Sequence, residues 1–234
     1  MSEYFEGFKD MLNISEDYYN KYYLETKNEK YNKILDIINI EVKRTLTEEF
    51  INSNQIFASN LEEILKVFVI SNDNQKYVSG MSFIANMILK LVNNDKINAF
   101  IVLKNLFEDK NIKDIYENNT DNIVGKFKIK FKEKMPILFQ HFEKNHVDYI
   151  FVNYWLMTLL YYNFDENIGE HVFKIYIKNR EFDIYFNAII AILMILEKDL
   201  LNKNYADIYI VLNSSKKFDI NFEKFGENLN KLIK

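Results

Sequence analysis

Apolar residues recur every three or four positions along most of the chain, the spacing that places them on one face of an α-helix. Four such sets lie in the first half: Ile34, Leu35, Ile37, Ile38 and Val42; Phe57, Leu61, Ile64, Leu65 and Phe68; Tyr77, Met81, Ile84, Met87, Ile88 and Leu91; and Ile97, Phe100, Ile101, Leu103 and Phe107. The second half predicts helices over residues 137–144, 149–162, 168–178, 184–196, 205–212 and 222–233. The pattern predicts an all-α protein of roughly ten helices.

Helix-breaking residues are scarce, which agrees with this prediction. Glycine occurs five times and proline once. Pro136 suits the first turn of a helix, where its missing N–H costs no hydrogen bond. Residues 67–70 and 127–131 suit strands by composition, but their helical neighbours favour helices. The polar residues 110–125 are expected to form an exposed connection.

Composition narrows the class of protein. Of 234 residues, 48% are hydrophobic, which is ample for a buried core, and cysteine is absent, which excludes disulfides and thiolate metal sites. The net charge of −4 disfavours a nucleic-acid partner. The longest apolar runs fall short of the roughly 18 residues that indicate a membrane span. Because no targeting segment is visible either, we expect a soluble, cytoplasmic protein.

Two further patterns are open to a functional and a structural interpretation. Lysines alternate with apolar residues over 126–134, which suits a phosphate or lipid contact or the solvated face of an amphipathic helix or strand. We expect a solvated face. The three histidines lack the spacing of metal ligands, and His141 is expected to be a hydrogen-bonded packing residue.

Arg44 is unusual because it is one of only two arginines among 30 basic residues. Arginine, unlike lysine, offers a planar and always charged fork that matches phosphate and carboxylate groups. Glu41 lies three residues before Arg44, so the two side chains can pair on one helix face. Thr47, followed by two glutamates, is typical of a new helix N-terminus, which would place Arg44 near a helix end. The same spacing also suits an ordinary surface ion pair.

A second sequence motif, residues 77–81, follows a polar loop and is predicted to begin a hydrophobic helix. Gly80 permits an unusual turn or a close backbone approach there. Such a helix start can face an anion or a water molecule. The alternative is that Ser79 simply caps a helix that begins at Gly80.

The two motifs, residues 38–45 and 77–81, together resemble the signatures of the TBC domain of Rab GTPase-activating proteins. Those signatures are Ile-x-x-Asp-x-x-Arg followed by Thr, and Tyr-x-Gln-Gly-Met. This chain has Ile38-x-x-Glu41-x-x-Arg44-Thr45 and Tyr77-x-Ser79-Gly80-Met81. Segments 135–142, 153–160, 172–176 and 186–193 also look like the family in order and spacing. The resemblance implies a two-lobed all-α domain over residues 31–213, with an N-terminal helical segment over 1–30 and a C-terminal helix over 214–234.

The resemblance also implies a mechanism and a partner. Arg44 would be an arginine finger inserted into a Rab-type small GTPase during vesicle trafficking, and Ser79 stands at the position of the family's glutamine finger. Partner contacts would involve Glu41, Thr45, Tyr77, Gly80 and Met81. GTP and Mg²⁺ would belong to the GTPase, so the chain would need no cofactor or metal of its own. Any membrane association would be peripheral, through the partner.

Departures from the family pattern leave three hypotheses. Serine replaces the finger glutamine at Ser79, Glu41 replaces an aspartate, and Ile177 replaces the aspartate after Tyr176. The chain is an active Rab GTPase activator that uses Arg44, a catalytically weakened TBC-like module that binds a GTPase or acts as a scaffold, or a helical protein with an unrelated structural role.

Overall fold

The computed structural model describes residues 14–72, 76–117, 120–213 and 218–233. Fourteen α-helices and one short 3-10 helix (η1) are found in these ranges, and no strand. In chain order they are α1 Glu16–Glu25, η1 Glu29–Tyr31, α2 Asn32–Thr45, α3 Glu48–Ser53, α4 Gln55–Ile70, α5 Met81–Leu91, α6 Lys96–Leu106, α7 Lys110–Tyr116, α8 Thr120–Lys134, α9 Pro136–Lys144, α10 Ile150–Leu156, α11 Glu166–Asn179, α12 Asp183–Leu200, α13 Tyr205–Leu212 and α14 Phe222–Ile233. The chain forms two compact units, Met1–Ile112 and Lys113–Lys234.

The first unit is built around α4. This helix contacts α1, α2, α5 and α6. Leu61, Ile64, Leu65 and Phe68 of α4 are fully buried, as their helical spacing predicts. Burial of apolar side chains is the main stabilising contribution to such a core. The helices α2 and α5, at whose ends the two motifs lie, therefore both pack against α4.

The second unit is centred on α12, which contacts α8, α11 and α14. Trp155 of α10 is fully buried, and its ring contacts those of Phe151, Phe164 and Phe218. Aromatic rings in edge-on contact pack favourably beyond the area they bury. Trp155 and α12 therefore both belong to the buried core of the second unit.

Three local predictions are confirmed, two about where helices begin and one about a hydrogen-bonded side chain. Thr47 is the N-cap of α3 and accepts a hydrogen bond from the Phe50 N–H. Pro136 occupies the first turn of α9. The His141 ring lies 3.0 Å from the carbonyl oxygen of Lys203, as expected of a hydrogen-bonded packing residue.

Residues 126–134 form part of α8, with Phe127 and Phe131 fully buried. Lysines on this helix pair with acidic side chains: Lys128 with Glu143, Lys130 with Asp183 and Lys134 with Glu133. This is the arrangement of an amphipathic helix with a solvated face. Residues 127–131, and likewise residues 67–70 of α4, are helical, so the strand alternative for both segments is wrong.

Two other expectations about the extent of elements are wrong. Residues 110–125 are not an exposed connection: they form α7 and the start of α8, with Ile112, Ile115 and Ile123 buried, although residues 118–119 lie outside the described ranges. The apolar run 149–162 is not one helix, because α10 ends at Leu156 and the chain then turns through Leu159 and Leu160, both with positive φ.

The helix predicted to include Tyr77 begins only at Met81, because Gly80 adopts a left-handed conformation that interrupts helical geometry. The predicted apolar face of α2 is also divided. Ile38 and Val42 are buried, whereas Ile37 is exposed.

Candidate functional site

Arg44 lies in the last turn of α2, where a positive charge is favoured by the helix dipole. Its Nη1 donates a hydrogen bond of 2.7 Å to Oε1 of Glu41, as the spacing predicts. The Arg44 side chain is 71% exposed, whereas that of Glu41 is only 11% exposed. Among the described residues no other group engages Arg44, so most of its five N–H donors face outward.

Glu41 is held from a second direction by Tyr77. The Tyr77 hydroxyl lies 3.4 Å from Glu41 Oε2 and donates toward it. Burial raises the pKa of Tyr77 to about 12, with Glu41 adding to the rise and Ser82 opposing it. Tyr77 is therefore neutral at physiological pH and keeps the proton that it donates. The carboxylate is thus anchored on one oxygen while the other orients Arg44.

Ser79 is exposed and lies in the turn before α5. The helix N-cap is Gly80, with φ 102° and ψ −26°, and no side chain caps the helix. The simple capping role considered for Ser79 is therefore wrong, and its hydroxyl is left at the surface. The turn is closed by Val78, whose carbonyl accepts from the Met81 N–H at 3.2 Å and whose N–H lies 3.4 Å from Met81 Sδ.

Contacts between Thr45 and Ser82 bring the two motifs together in the structure. The Thr45 hydroxyl donates to the carbonyl oxygen of Glu41 at 2.8 Å and lies 2.6 Å from the Ser82 hydroxyl. The last turn of α2 is thereby joined to the first turn of α5. Gly80 and Met81 are buried, so they shape the turn. Partner contact by the predicted residues stays a prediction.

Two buried polar residues of the first unit were not identified from the sequence. Ser82 is fully buried and contacts a residue 37 positions away. Lys104 of α6 is also buried, and its Nζ donates to the Ser71 carbonyl at 3.0 Å and to Asn72 Oδ1, at the end of α4. Neither contact has a sequence signal, because both depend on how helices meet in the folded chain.

An apolar strip accompanies Arg44 along α2. Ile37 and Ile40 are 47% and 52% exposed, and they precede Arg44 by seven and four residues, which places all three on one side of the helix. Neighbouring apolar side chains that stay exposed suit a protein-contact surface. We call Ile37, Ile40 and Arg44 the α2 face.

The family is decided by comparison with known sequences. Residues 6–201 match the Rab-GTPase-TBC domain family. The chain belongs to this family. The resemblance to the TBC signatures is therefore not a coincidence, as the third hypothesis would have required.

Curated relatives of this TBC domain include TBC1 domain family member 14. The human protein is 26% identical over 174 residues, which cover 72% of this chain and 24% of that protein. The rat protein is 25% identical over the same length and coverage. The chain thus spans about a quarter of the length of the curated relatives it matches.

Solved structures show the same fold. The crystal structure of the Chlamydomonas flagellar RabGAP TBC domain superposes with a TM-score of 0.82 at 17% identity and covers 98% of this chain and 78% of that one. The Ypt/Rab-GAP domain of Gyp1p gives 0.76 at 16% identity, covering 92% and 77%. The prediction of an all-α, two-lobed TBC-like fold is confirmed. No described helix is both long and apolar enough to cross a membrane.

Proposed function

We propose that this TBC domain is a GTPase-activating protein for a Rab-type small GTPase and supplies Arg44 as a finger in trans. The observation that carries the proposal is that Arg44 is exposed yet fixed in direction by the nearly buried Glu41. A guanidinium held in this way can meet the charge that develops on a transferring phosphoryl group. Such a finger accelerates hydrolysis by roughly 10³ to 10⁵.

The neighbouring groups support this role without supplying chemistry of their own. Glu41 engages one donor of Arg44 and leaves the planar fork available. Ser79 presents a hydroxyl beside the start of α5, but a hydroxyl is shorter than a glutamine side chain and has no amide. We therefore assign the orientation of the attacking water to the GTPase's own glutamine. GTP and Mg²⁺ belong to the GTPase. On this proposal the protein acts in the cytoplasm in vesicle trafficking and reaches membranes through its partner.

A second candidate function is a GTPase-binding or scaffold module with weakened catalysis. The observation that favours it is Ser79, whose exposed hydroxyl stands where the family has glutamine. In that case the exposed α2 face contributes recognition, whereas the rate of GTP hydrolysis barely changes.

The deciding experiment measures GTP hydrolysis by a panel of Rab-type GTPases with wild-type protein, Arg44→Ala and Arg44→Lys. We expect acceleration by the wild type that both variants lose, by roughly a hundredfold or more, because lysine keeps the charge but not the fork. Arg180→Lys is the matched control, since Arg180 is the only other arginine and lies at the end of α11.

Binding to each GTPase in its GTP-analogue form separates the two candidates. Acceleration that survives Arg44→Ala would contradict the finger proposal. GTP-dependent binding without acceleration by any GTPase would establish the binding module instead. A gain in rate for Ser79→Gln would then show that only the glutamine is missing.

A further inference from the structure

Five residues form a hydrogen-bonded network between the end of α2 and the start of α5. Glu41 accepts at three oxygens: from Arg44 at Oε1, from Tyr77 at Oε2 and from Thr45 at its backbone carbonyl. Ser82 joins the network through its hydroxyl, which lies 2.6 Å from that of Thr45.

The Thr45 hydroxyl lies between two oxygens, the Glu41 carbonyl at 2.8 Å and the Ser82 hydroxyl at 2.6 Å. The carbonyl only accepts, whereas the Ser82 hydroxyl can accept the Thr45 proton or donate its own, so Ser82 is a hydrogen-bond partner of Thr45 in either arrangement. Ser82 is fully buried, so water cannot replace its hydroxyl as this partner. Loss of this hydroxyl would leave the buried side of Thr45 without a partner.

We propose that Ser82 is a positioning residue for Arg44: its buried hydroxyl fixes the last turn of α2, through Thr45, relative to the turn that carries Ser79. The catalytic part of this inference rests on the proposed function. Ser82 is fully buried and its hydrogen-bond partner is Thr45, so it acts on Arg44 through Thr45 and the network around Glu41. The alternative is that Ser82 contributes to stability alone.

The first test follows Arg44 directly and does not depend on GTPase activation. The protein has only two arginines, so an arginine-labelled sample gives two side-chain Nε–H signals in an NMR spectrum, which Arg44→Ala assigns. We expect Ser82→Ala to shift the Arg44 signal and to lower its order parameter, while the Arg180 signal stays unchanged as an internal reference.

Matched variants separate positioning from general destabilisation. Thr45→Val removes the same contact from the other side at nearly constant volume, so it should reproduce the effect of Ser82→Ala. This second variant also keeps the inference testable if Ser82→Ala does not fold. Ser71→Ala is the control: Ser71 is likewise a buried serine of this unit, but its hydroxyl donates to the Phe68 carbonyl at 2.9 Å. It should leave the Arg44 signal unchanged. An unchanged Arg44 signal in both Ser82→Ala and Thr45→Val would overturn the inference.

The second test uses a GTPase that responds to the wild type. Ser82→Ala should lower kcat by roughly tenfold or more with little change in KM, because a misplacement of about an ångström can cost on the order of a hundredfold. Ser82→Cys, which keeps a similar shape and a weak donor, should recover part of the loss. A rise in KM with kcat unchanged would overturn the catalytic part. If no GTPase responds, the proposed function fails and the NMR result still decides whether Ser82 positions Arg44.

Discussion

Gly80 holds a backbone conformation that determines where Ser79 is placed. Its φ of 102° lies in the left-handed region that L-residues rarely adopt. We predict that Gly80→Ala lowers the free energy of unfolding by about 1–2 kcal/mol, the usual cost of that region for an L-residue. Urea denaturation measures the change.

Gly125 provides a control of the opposite sign. It lies within α8, and a Cβ added there meets no atom within 4 Å. Gly125→Ala should therefore raise the free energy of unfolding by about 0.5–1 kcal/mol, since alanine restricts the unfolded chain and favours a helix. If Gly80→Ala were as stable as Gly125→Ala, the left-handed turn would not be a requirement of this fold.

The sequence predicts single residues well where partners are close in the chain. The Glu41–Arg44 pair and the Thr47 cap depend on contacts within one helical turn. Ser82 could not be found in this way, because its partner Thr45 belongs to another helix. The role of the Ser79 hydroxyl could not be predicted either, because Ser79 would cap the helix only if the helix started at residue 80 rather than at residue 81.

Helix α2 presents apolar side chains on the same side as Arg44, which predicts a contact surface. We expect Ile40→Asp to weaken binding of a GTP-analogue-loaded Rab-type GTPase by roughly tenfold, about 1.4 kcal/mol, because a buried charge would replace an apolar contact. The thermal unfolding midpoint should stay unchanged, since Ile40 is 52% exposed. Isothermal titration calorimetry measures the affinity.

Ile129 of α8 is the matched control for this prediction. It is an isoleucine that is 74% exposed on a helix of the second unit. Ile129→Asp should leave the affinity unchanged. Equal weakening by both substitutions would show that the α2 face has no special role, whatever the outcome for Arg44.

At the level of helices, periodicity predicts most of the elements but not their interruptions. The apolar positions of α4 and α12 and the start of α9 agree with the sequence, because each has an apolar face or a proline that marks it. The run 149–162 gave no comparable signal. It is apolar except for Asn153 and Thr158, so its composition does not distinguish α10 from the buried turn through Leu159 and Leu160.

Both units bury tyrosines whose ionisation opposes folding, which predicts a loss of stability in alkali. Burial raises the pKa of Tyr19, Tyr77, Tyr149 and Tyr161, that of Tyr77 to about 12, above the ordinary value of 10.0. Well below pH 10 the phenols are neutral in both states, so the stability is fully present. Above it the unfolded chain loses these protons first, and the stability falls as pH rises through the folded-state pKa values.

Tyr19→Phe tests how much of this alkaline loss one buried phenol causes. The Tyr19 ring packs edge-on against Phe100, and its hydroxyl donates to Glu63 at 2.7 Å, whereas Glu63 also pairs with Lys96. Phenylalanine keeps the ring and Glu63 keeps Lys96, so the variant should fold. Its free energy of unfolding should start lower by about 1 kcal/mol, the net value of one hydrogen bond. Between pH of about 9 and about 11 it should then fall less steeply than that of the wild type, because one fewer proton is lost on unfolding.

Lysine titration affects both proteins equally and cancels in the comparison. Tyr154→Phe, at an exposed tyrosine, should keep the wild-type slope. Parallel slopes for Tyr19→Phe and the wild type would mean that the buried Tyr19 phenol does not contribute to alkaline unfolding.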